Sequence, residues 1–297
     1  MKSPEEIRGR LEGPCLSLPT VFTRDGAIDH QGMRNVIDTA LDSGCQIVML
    51  TWGDSLVSLL TDPEMEDVHR TVIEHVGDRA ITIGCDNQWA LPKAIEFGRF
   101  VEELGFDLYM IRPAEWPAAK GTAETLADHY RAVADVTRVM MVGNVPLRTC
   151  ELIEEVPNII AFKEDLAIDY AHEVHMRWGD RWAMVTGGAH RRHLLFHPHG
   201  PRAWLDIFIR SAPQPSIEYW NALKRDDVRT AWDISMRYEK PLWEYGEAVR
   251  YGRDGLFAHA LLEVYDVAPR WRRSPAPDPT DEELDQLRDF LRGIGLM

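Results

Sequence analysis

The chain has 297 residues, of which 45% are hydrophobic and 27% are charged. These proportions are typical of a soluble globular protein and exclude a fibrous array or a disordered chain. Acidic residues outnumber basic residues by 48 to 33, which gives a net charge of −15. A negative field of this size repels phosphate backbones and anionic lipid, so we expect neither a nucleic-acid partner nor a membrane partner.

Short apolar runs alternate with stretches of helical periodicity along most of the chain, which is the pattern of a parallel sheet with crossover helices. Several runs are apolar on consecutive residues, as strands covered on both faces are. The predicted strands span residues 15–22, 46–52, 80–85, 108–113, 139–144, 159–164, 183–188 and 203–209. Eight such strands predict a closed (β/α)8 barrel, or TIM barrel, a fold that commonly uses about 250 residues as one domain.

The segments between these runs carry helix signals. Asp29 is expected to cap the helix after the first strand, and Thr61 with Glu64 forms a capping box before the next helix. Gly105 closes a third apolar helix. Residues 20–23 contain no glycine-rich phosphate loop, so an open doubly wound sheet is disfavoured.

Beyond the eighth run the pattern changes to helices alone, and Thr280 with Glu283 forms a second capping box before the last helix. We therefore divide the chain into a barrel of residues 1–215 and a C-terminal helical extension of residues 216–297 packed on the barrel. We interpret the extension as an appendage and not as a second catalytic domain.

Four cysteines occur singly along the chain, at Cys15, Cys45, Cys85 and Cys150. They show no CxxC pair or metal-ligand spacing, and no segment is typical of a signal peptide or of a membrane span of about 20 apolar residues. We therefore expect a cytoplasmic protein. Six of the eleven histidines fall between His172 and His199 without an HExxH pair, and we interpret them as polar helix surface and not as a metal site.

In a barrel of this kind the active site lies at the carboxyl ends of the strands. The polar residues there are Thr51 with Gly53, Asp54 and Ser55; Arg112; Asn144 followed by Arg148; Lys163 with Glu164; Thr186 with Gly187 and Gly188; and Asp206. Lys163 is the most informative, because it ends an apolar run that directs its amine toward the barrel interior, where a desolvated amine becomes a nucleophile. The alternative is an ion pair between Lys163 and Glu164 or Asp165.

Three motifs, in this order along the chain, resemble those of the dihydrodipicolinate synthase and N-acetylneuraminate lyase family. They are Thr51, Trp52, Gly53, Asp54, Ser55; Asn144, Val145, Pro146, Leu147, Arg148, Thr149; and Phe162, Lys163, Glu164. The resemblance covers residues 14–265. It implies a barrel that assembles as a homo-oligomer, either a dimer or a homotetramer, and that acts on pyruvate or a related 2-oxo acid without a metal or an organic cofactor.

The resemblance also implies roles for matching positions. Lys163 would form the iminium that serves as an electron sink. Thr51 and the backbone amides near Trp52 and Gly53 would hold the substrate carboxylate, while Arg148 would bind a second carboxylate or support the site. The further substrate-binding candidates are Asn144, Asp54, Gly187 and Asp206.

This sequence departs from the family at the positions that transfer protons. Gly143 replaces the tyrosine expected before Asn144, and residues 113–117 stand where dihydrodipicolinate synthases carry a pair of tyrosines. These changes argue against a role in lysine biosynthesis. The candidate replacements are Glu115, Asp206 and Asp54, and we count Glu115 among the catalytic residues. Each also has a structural interpretation: Glu115 as a charge on the loop surface, Asp206 as part of a salt bridge at the rim, and Asp54 as a helix cap.

We therefore expect a class I lyase that forms a Schiff base with a 2-oxo acid and catalyses aldol cleavage or condensation, or dehydration of a 2-oxo-3-deoxy sugar acid or a related compound. Two alternatives keep the barrel: a catalytically weak homologue that binds a 2-oxo acid as a sensor or scaffold, and an aromatic hydratase-aldolase. A hydrolase with paired carboxylates, Glu164 and Asp206, would leave Lys163 without a role.

Overall fold

The computed structural model describes residues 2–87, 90–112, 121–165, 167–252 and 256–297. Eight parallel strands pair in chain order and close on themselves, which confirms the predicted (β/α)8 barrel. The strands are β1 (Gly13–Ser17), β2 (Ile47–Met49), β3 (Ile81–Cys85), β4 (Leu108–Ile111), β5 (Val139–Val142), β6 (Ile159–Glu164), β7 (Ala183–Thr186) and β8 (Ala203–Asp206). β1 pairs with β8, and Gly13 lies opposite Ala203.

Several strands are shorter than the apolar runs that predicted them. β1 ends at Ser17 and β2 at Met49, although the runs continue to Phe22 and Trp52. Leu18 and Val21 remain fully buried after β1 has ended, so apolar character continues into the loops above the barrel. Thr51 and Asp54 therefore lie on a loop at the carboxyl end of the barrel, whereas Lys163 and Asp206 lie within β6 and β8.

Helices cover the outside of the barrel. After α1 (Pro4–Arg10), one helix follows each strand: α2 (His30–Asp42), α3 (Asp62–Val76), α4 (Leu91–Leu104), α5 (Ala123–Ala134), α6 (Leu147–Ile153), α7 (Ile168–Trp178), α8 (Ala189–Phe196) and α9 (Gln214–Leu223). The predicted caps of α2 and α3 are confirmed, because Asp29 accepts from the Gly32 amide at 2.9 Å and the Thr61 amide donates to Glu64 at 2.9 Å.

The C-terminal segment contains α10 (Val228–Ile234), α11 (Lys240–Ala248), α12 (Leu256–Val264) and α13 (Asp281–Gly293). Apolar side chains of these helices form a second buried cluster with Trp204 of β8 and Tyr219 of α9. The predicted boundary at residue 215 falls inside α9, the eighth barrel helix, so the division into two units remains a prediction. Within the described ranges, none of the helices combines the length and the apolar character needed to span a bilayer.

Three of the clustered histidines do not lie on the helix surface. His175 of α7 and His190 and His193 of α8 are buried, and their ring nitrogens lie 2.7–3.3 Å from Glu164, Asp206 and Tyr219, respectively. The prediction of a polar surface is therefore wrong for these three residues. No group of three metal-ligating side chains occurs among the residues that the structure describes.

Candidate active site

A cavity of about 630 Å³ opens at the carboxyl ends of the strands. Its wall includes the polar or charged residues Thr51, Trp52, Asp54, Arg112, Asn144, Lys163, Asp165 and Arg210. Its apolar part includes Leu205 and Ile207, Leu242 and Trp243 of α11, and Phe257 and Leu261 of α12. The C-terminal helices therefore contribute directly to the cavity that the barrel predicts.

Lys163 lies on β6, with Val142 of β5 on one side and Val185 of β7 on the other. Alternation along the strand turns its side chain inward, and the residue is only 5% exposed. The Lys163 ammonium donates to the carboxylate of Asp165. The predicted cavity position and the alternative ion pair therefore occur together in this structure, with Asp165 and not Glu164 as the partner.

Glu164, the next residue on β6, points to the opposite side of the strand. Its carboxylate accepts from Arg192 at 2.8 Å and lies 3.3 Å from Nε2 of the buried His175. Because one oxygen contacts His175 of α7 and the other contacts Arg192 of α8, Glu164 holds both helices against the barrel. This position gives no support to a pair of catalytic carboxylates made of Glu164 and Asp206.

Thr51 follows β2 and is held by a chain of hydrogen bonds. Its amide donates to Ser55 Oγ at 2.9 Å, and Ser55 Oγ donates to the Leu18 carbonyl at 2.5 Å. The Thr51 hydroxyl lies 2.8 Å from Ser17 Oγ at the end of β1. Ser17 was not predicted from the sequence, although a polar residue within the apolar run 15–22 was a usable signal.

Two cations lie beside the Thr51 turn. Arg210, just beyond β8, donates to Asp54 at 3.0 Å, and the Arg112 guanidinium lies 4.8 Å from the centre of the Trp52 ring. Arg210 was not predicted from the sequence either. Its signal was its place directly after the eighth apolar run, at the end of the barrel where the site was expected.

Asp206 ends β8 but does not line the cavity. Its carboxylate accepts from Trp204 Nε1 at 2.8 Å, from the amides of Phe208 and Ile209 at 2.7 and 2.9 Å, and from Ser216 Oγ at 2.5 Å. Burial raises the pKa of this group. Hydrogen bonding to His190 and the other donors lowers the pKa by more than burial raises it, so the pKa is about 2. The position of Asp206 supports a structural role and not the predicted substrate contact.

Three other candidates also lie away from the cavity wall or cannot be placed. Arg148 is on α6 with a side chain that is 61% exposed, and it pairs with Glu151 at 2.9 Å. Gly187 lies next to Asp165, and the Gly187 amide donates to the Glu164 carbonyl at 2.7 Å. Glu115 falls outside the described residues, so its catalytic role stays a prediction. Trp52, Gly53, Asp54 and Asn144 do line the cavity.

Gly143, which replaces the expected tyrosine, has a φ of +83°. This left-handed backbone conformation is costly for residues with a side chain. Among the described residues, the nearest atom to an added Cβ outside the chain neighbours is Cβ of Arg112, at 3.9 Å. The backbone, more than the surrounding space, therefore disfavours a tyrosine at this position.

A closed parallel barrel that presents a buried lysine amine to a cavity at its carboxyl end is the arrangement of an enzyme that works through a lysine-bound intermediate. Residues 11–238 match the model of the Dihydrodipicolinate synthetase family. The chain therefore belongs to this family, and it is a lyase of the Schiff-base aldolase type.

Individual relatives are distant but cover much of the chain. The 4-hydroxy-tetrahydrodipicolinate synthase of Psychrobacter arcticus is 27% identical over 239 residues, which make up 76% of this chain and 78% of that protein. The enzyme of the same name from Methanospirillum hungatei is 23% identical over 294 residues, or 95% of this chain and 98% of that protein.

Solved structures share the whole fold. N-acetylneuraminate lyase from Fusobacterium nucleatum, complexed with pyruvate, superposes with a TM-score of 0.82 at 14% identity and covers 97% of this chain and 98% of its own. Dihydrodipicolinate synthase from Aquifex aeolicus gives a TM-score of 0.79 at 22% identity, with 96% and 98% covered. At these identities the similarity shows the fold and does not define the substrate.

Proposed function

We propose that the protein catalyses aldol cleavage or condensation, or dehydration, of a 2-oxo acid through a Schiff base on Lys163. The observation that carries this proposal is the buried Lys163 amine in the cavity wall. An amine held there can attack the C2 carbonyl of a bound 2-oxo acid. The resulting iminium draws electrons from the bond at the neighbouring carbon and stabilises the enamine that forms.

The Thr51 turn suits the carboxylate of such a substrate. Ser17 Oγ lies 2.8 Å from Thr51 Oγ1, and when Ser17 donates, the Thr51 hydroxyl hydrogen is left to face the cavity. The hydroxyl and the nearby backbone amides are donors of the kind that bind an anion without adding a charge. We propose that Thr51, Trp52 and Gly53 hold the carboxylate while Lys163 reacts with C2.

The cavity accommodates more than pyruvate. Its volume of about 630 Å³ lies in the range of pockets that enclose drug-sized ligands, which are much larger than pyruvate. Its far side is largely apolar, with Leu242 and Trp243 of α11 facing the same space as Phe257 and Leu261 of α12. A screen that couples released pyruvate to a detectable reaction should therefore compare hydroxylated sugar acids with 2-oxo acids that carry aryl groups.

Borohydride reduction tests the Schiff base directly. Incubation with pyruvate and borohydride should add one reduced pyruvate to the peptide that contains Lys163, and Lys163→Arg should abolish the adduct. Lys93→Arg is the matched control, because Lys93 pairs with Asp62 on the protein surface and its loss should leave the adduct unchanged. Failure of the wild-type protein to form the adduct with any of several 2-oxo acids would refute the proposal.

A sensor or scaffold function is the second candidate, and Gly143 favours it because the proton-transferring tyrosine is missing. Calorimetric titration separates the two functions. Saturable binding of a 2-oxo acid without an adduct at Lys163 would support the sensor. Binding accompanied by the adduct and by turnover would exclude it.

We further propose that the protein acts in the cytoplasm as a homo-oligomer, a dimer or a tetramer. The four cysteines are free and buried, as expected in a reducing compartment. Large apolar side chains on neighbouring helices are exposed, among them Met176 of α7, Leu195 of α8 and Trp232 of α10, and such exposure is typical of interaction surfaces. Sedimentation of the wild type and of the double variant Met176→Glu, Leu195→Glu tests the oligomeric state. A monomeric wild type would contradict the proposed homo-oligomer.

A further inference from the structure

Asp165 is in direct contact with the reactive amine. Its carboxylate accepts from Lys163 Nζ and lines the same cavity. The Asp165 side chain is 33% exposed, whereas that of Lys163 is 6% exposed. The carboxylate is therefore the more accessible of the two groups, and it contacts the amine from within the cavity that would hold a lysine-bound substrate.

The neighbouring carboxylates of the described chain are engaged elsewhere. Glu164 faces Arg192 and His175 on the outside of β6, and Asp54 pairs with Arg210 at 3.0 Å. Asp206 accepts several hydrogen bonds beneath α9 and is not part of the cavity wall. Among these four acids, Asp165 is the one whose carboxylate touches the lysine.

Gly187 provides the space that Asp165 occupies. A Cβ at Gly187 would lie 2.2 Å from Cβ of Asp165 and 3.1 Å from its Cα, which is closer than two such atoms can approach. The Gly187 amide also donates to the Glu164 carbonyl at 2.7 Å, so β7 and the end of β6 are held together at this point. The absence of a side chain at residue 187 therefore leaves the space in which Asp165 lies beside Lys163.

We propose that Asp165 is a catalytic acid–base residue that carries protons between Lys163 Nζ and the oxygen on C2 of the substrate. This inference rests on the proposed function, since it requires a Schiff base on Lys163. It gives the site a group for proton transfer at the amine, although Gly143 has no phenol. A positioned acid–base group of this kind typically accelerates a step by about 10²–10⁴-fold.

The proton balance is complete without another reactant. Asp165 accepts one proton from the Lys163 ammonium, and the neutral amine forms the N–C bond as the π bond of the carbonyl breaks toward oxygen. Asp165 returns this proton to the oxygen, which becomes a hydroxyl. It then takes a second proton from the nitrogen and gives it to the hydroxyl, which leaves as water while the nitrogen lone pair forms the C=N bond.

Two protons thus pass from nitrogen to oxygen, one water leaves, and the iminium remains beside the Asp165 carboxylate. Hydrolysis of the product iminium follows the same steps in reverse. Asp165→Asn keeps the size of the side chain but cannot carry a proton. Asp165→Ala leaves space in which a small carboxylate from solution can act instead.

Rapid mixing with pyruvate, followed by a borohydride quench at increasing times, measures the rate of adduct formation at Lys163. We expect Asp165→Asn and Asp165→Ala to form the adduct about 10²–10⁴-fold more slowly than the wild type. Formate should restore part of the rate in Asp165→Ala, and formamide, which is similar in size but cannot carry the proton, should not. Thermal melting of each variant checks that the barrel is intact.

Gly187→Ala gives an independent measurement, because the added methyl group displaces Asp165 without changing any ionisable group. It should slow adduct formation in the wild-type background and have no further effect in Asp165→Gly, which lacks the Cβ atom that the methyl group meets at 2.2 Å. Two additive losses would contradict an effect that passes through Asp165.

The outcomes separate this inference from the proposed function. An adduct in the wild type together with a rate in Asp165→Asn within about threefold of it, far below the usual effect of acid–base catalysis, would overturn the role of Asp165 and leave the Schiff base standing. Slow variants that formate does not restore would also overturn it, since they indicate that Asp165 only orients Lys163. No adduct in the wild type would refute the proposed function itself.

Discussion

Arg210 Nη1 donates to Asp54 Oδ1 at 3.0 Å and joins the end of β8 to the turn that follows β2. The side chains are 7% and 16% exposed, respectively, so both charges are largely removed from water. Loss of one partner from a buried ion pair is costly because the other charge remains unpaired. This contact fixes one side of the cavity, because it links the ends of the two strands that flank β1.

Arg210→Met and Asp54→Asn should each lower the free energy of unfolding by about 3–5 kcal/mol. The double variant should recover part of this loss, since it leaves no unpaired charge. Urea denaturation of the four proteins measures the coupling. Asp289→Asn is the control, because its ion pair with Arg292 lies on the exposed surface and should contribute little; strictly additive single losses would contradict the coupling.

Thr51→Val should weaken the binding of the 2-oxo acid, because it removes a hydroxyl donor from the proposed carboxylate site. The expected cost is about 1–3 kcal/mol of binding free energy. Thr51→Ser keeps the hydroxyl near Ser17 and should retain most of the affinity. The measurement is the Michaelis constant in the pyruvate-coupled assay, and equal constants for wild type and Thr51→Val would place the carboxylate elsewhere.

The sequence predicted the barrel well because strands buried on both faces leave continuous apolar runs, as in residues 159–162 before Lys163. It predicted Lys163 for the same reason, because Lys163 directly follows this apolar run and the carboxyl ends of the strands form the site. It did not predict where side chains point once the strands have ended. The prediction placed Asp206 at the cavity rim, but the chain turns so that backbone amides and Ser216 enclose its carboxylate.

The partners of the site residues were harder to find from the sequence. Ser17 and Thr51 are 34 residues apart, and Asp54 and Arg210 are 156 apart, so only the closed barrel brings each pair together. His190 and His193 were misinterpreted because a short polar pattern does not reveal that α9 and the C-terminal helices cover α8. Asp165 was considered as an ion-pair partner, but its fit against Gly187 is visible only in three dimensions.

Glu64, in the first turn of α3, makes the stability of the fold depend on pH. Hydrogen bonds from Arg273, at 2.5 and 2.8 Å, lower the pKa of Glu64 to about 2. Because the folded pKa lies below the unfolded value of about 4.3, the stabilisation is fully present above pH 4.3 and is lost as the pH falls toward 2. This contact tethers the segment before α13 to the first turn of α3.

Glu64→Gln should therefore be less stable than the wild type at pH 7 and at pH 5, and the difference should shrink steadily between about pH 4 and pH 2. Urea unfolding at a series of pH values measures the difference between the two proteins, which removes the contribution of the other carboxylates. A difference that stays constant down to pH 2, or one that grows, would show that Arg273 does not stabilise the ionised form of Glu64.

Gly143 determines how the missing tyrosine should be interpreted. If the site had only lost a side chain and the backbone at residue 143 still suited a tyrosine, restoring that tyrosine would recover proton transfer. The φ of +83° makes that outcome unfavourable, because a left-handed conformation costs a residue with a side chain about 1–2 kcal/mol. The loop that carries Asn144 would have to move to relieve this strain.

Gly143→Ala should lower the free energy of unfolding by about 1–2 kcal/mol, and Gly143→Asn by less, since asparagine tolerates this conformation better. Gly143→Tyr should be at least as destabilised as Gly143→Ala and should show lower turnover than the wild type. Gly9→Ala is the control, because an added Cβ there meets no atom of the described residues within 4 Å outside its own helix, and α1 continues through the position. Its stability should be unchanged or slightly higher. A Gly143→Tyr variant with the melting temperature of the wild type and a higher turnover rate would show that the backbone adapts and that this site had only lost its phenol.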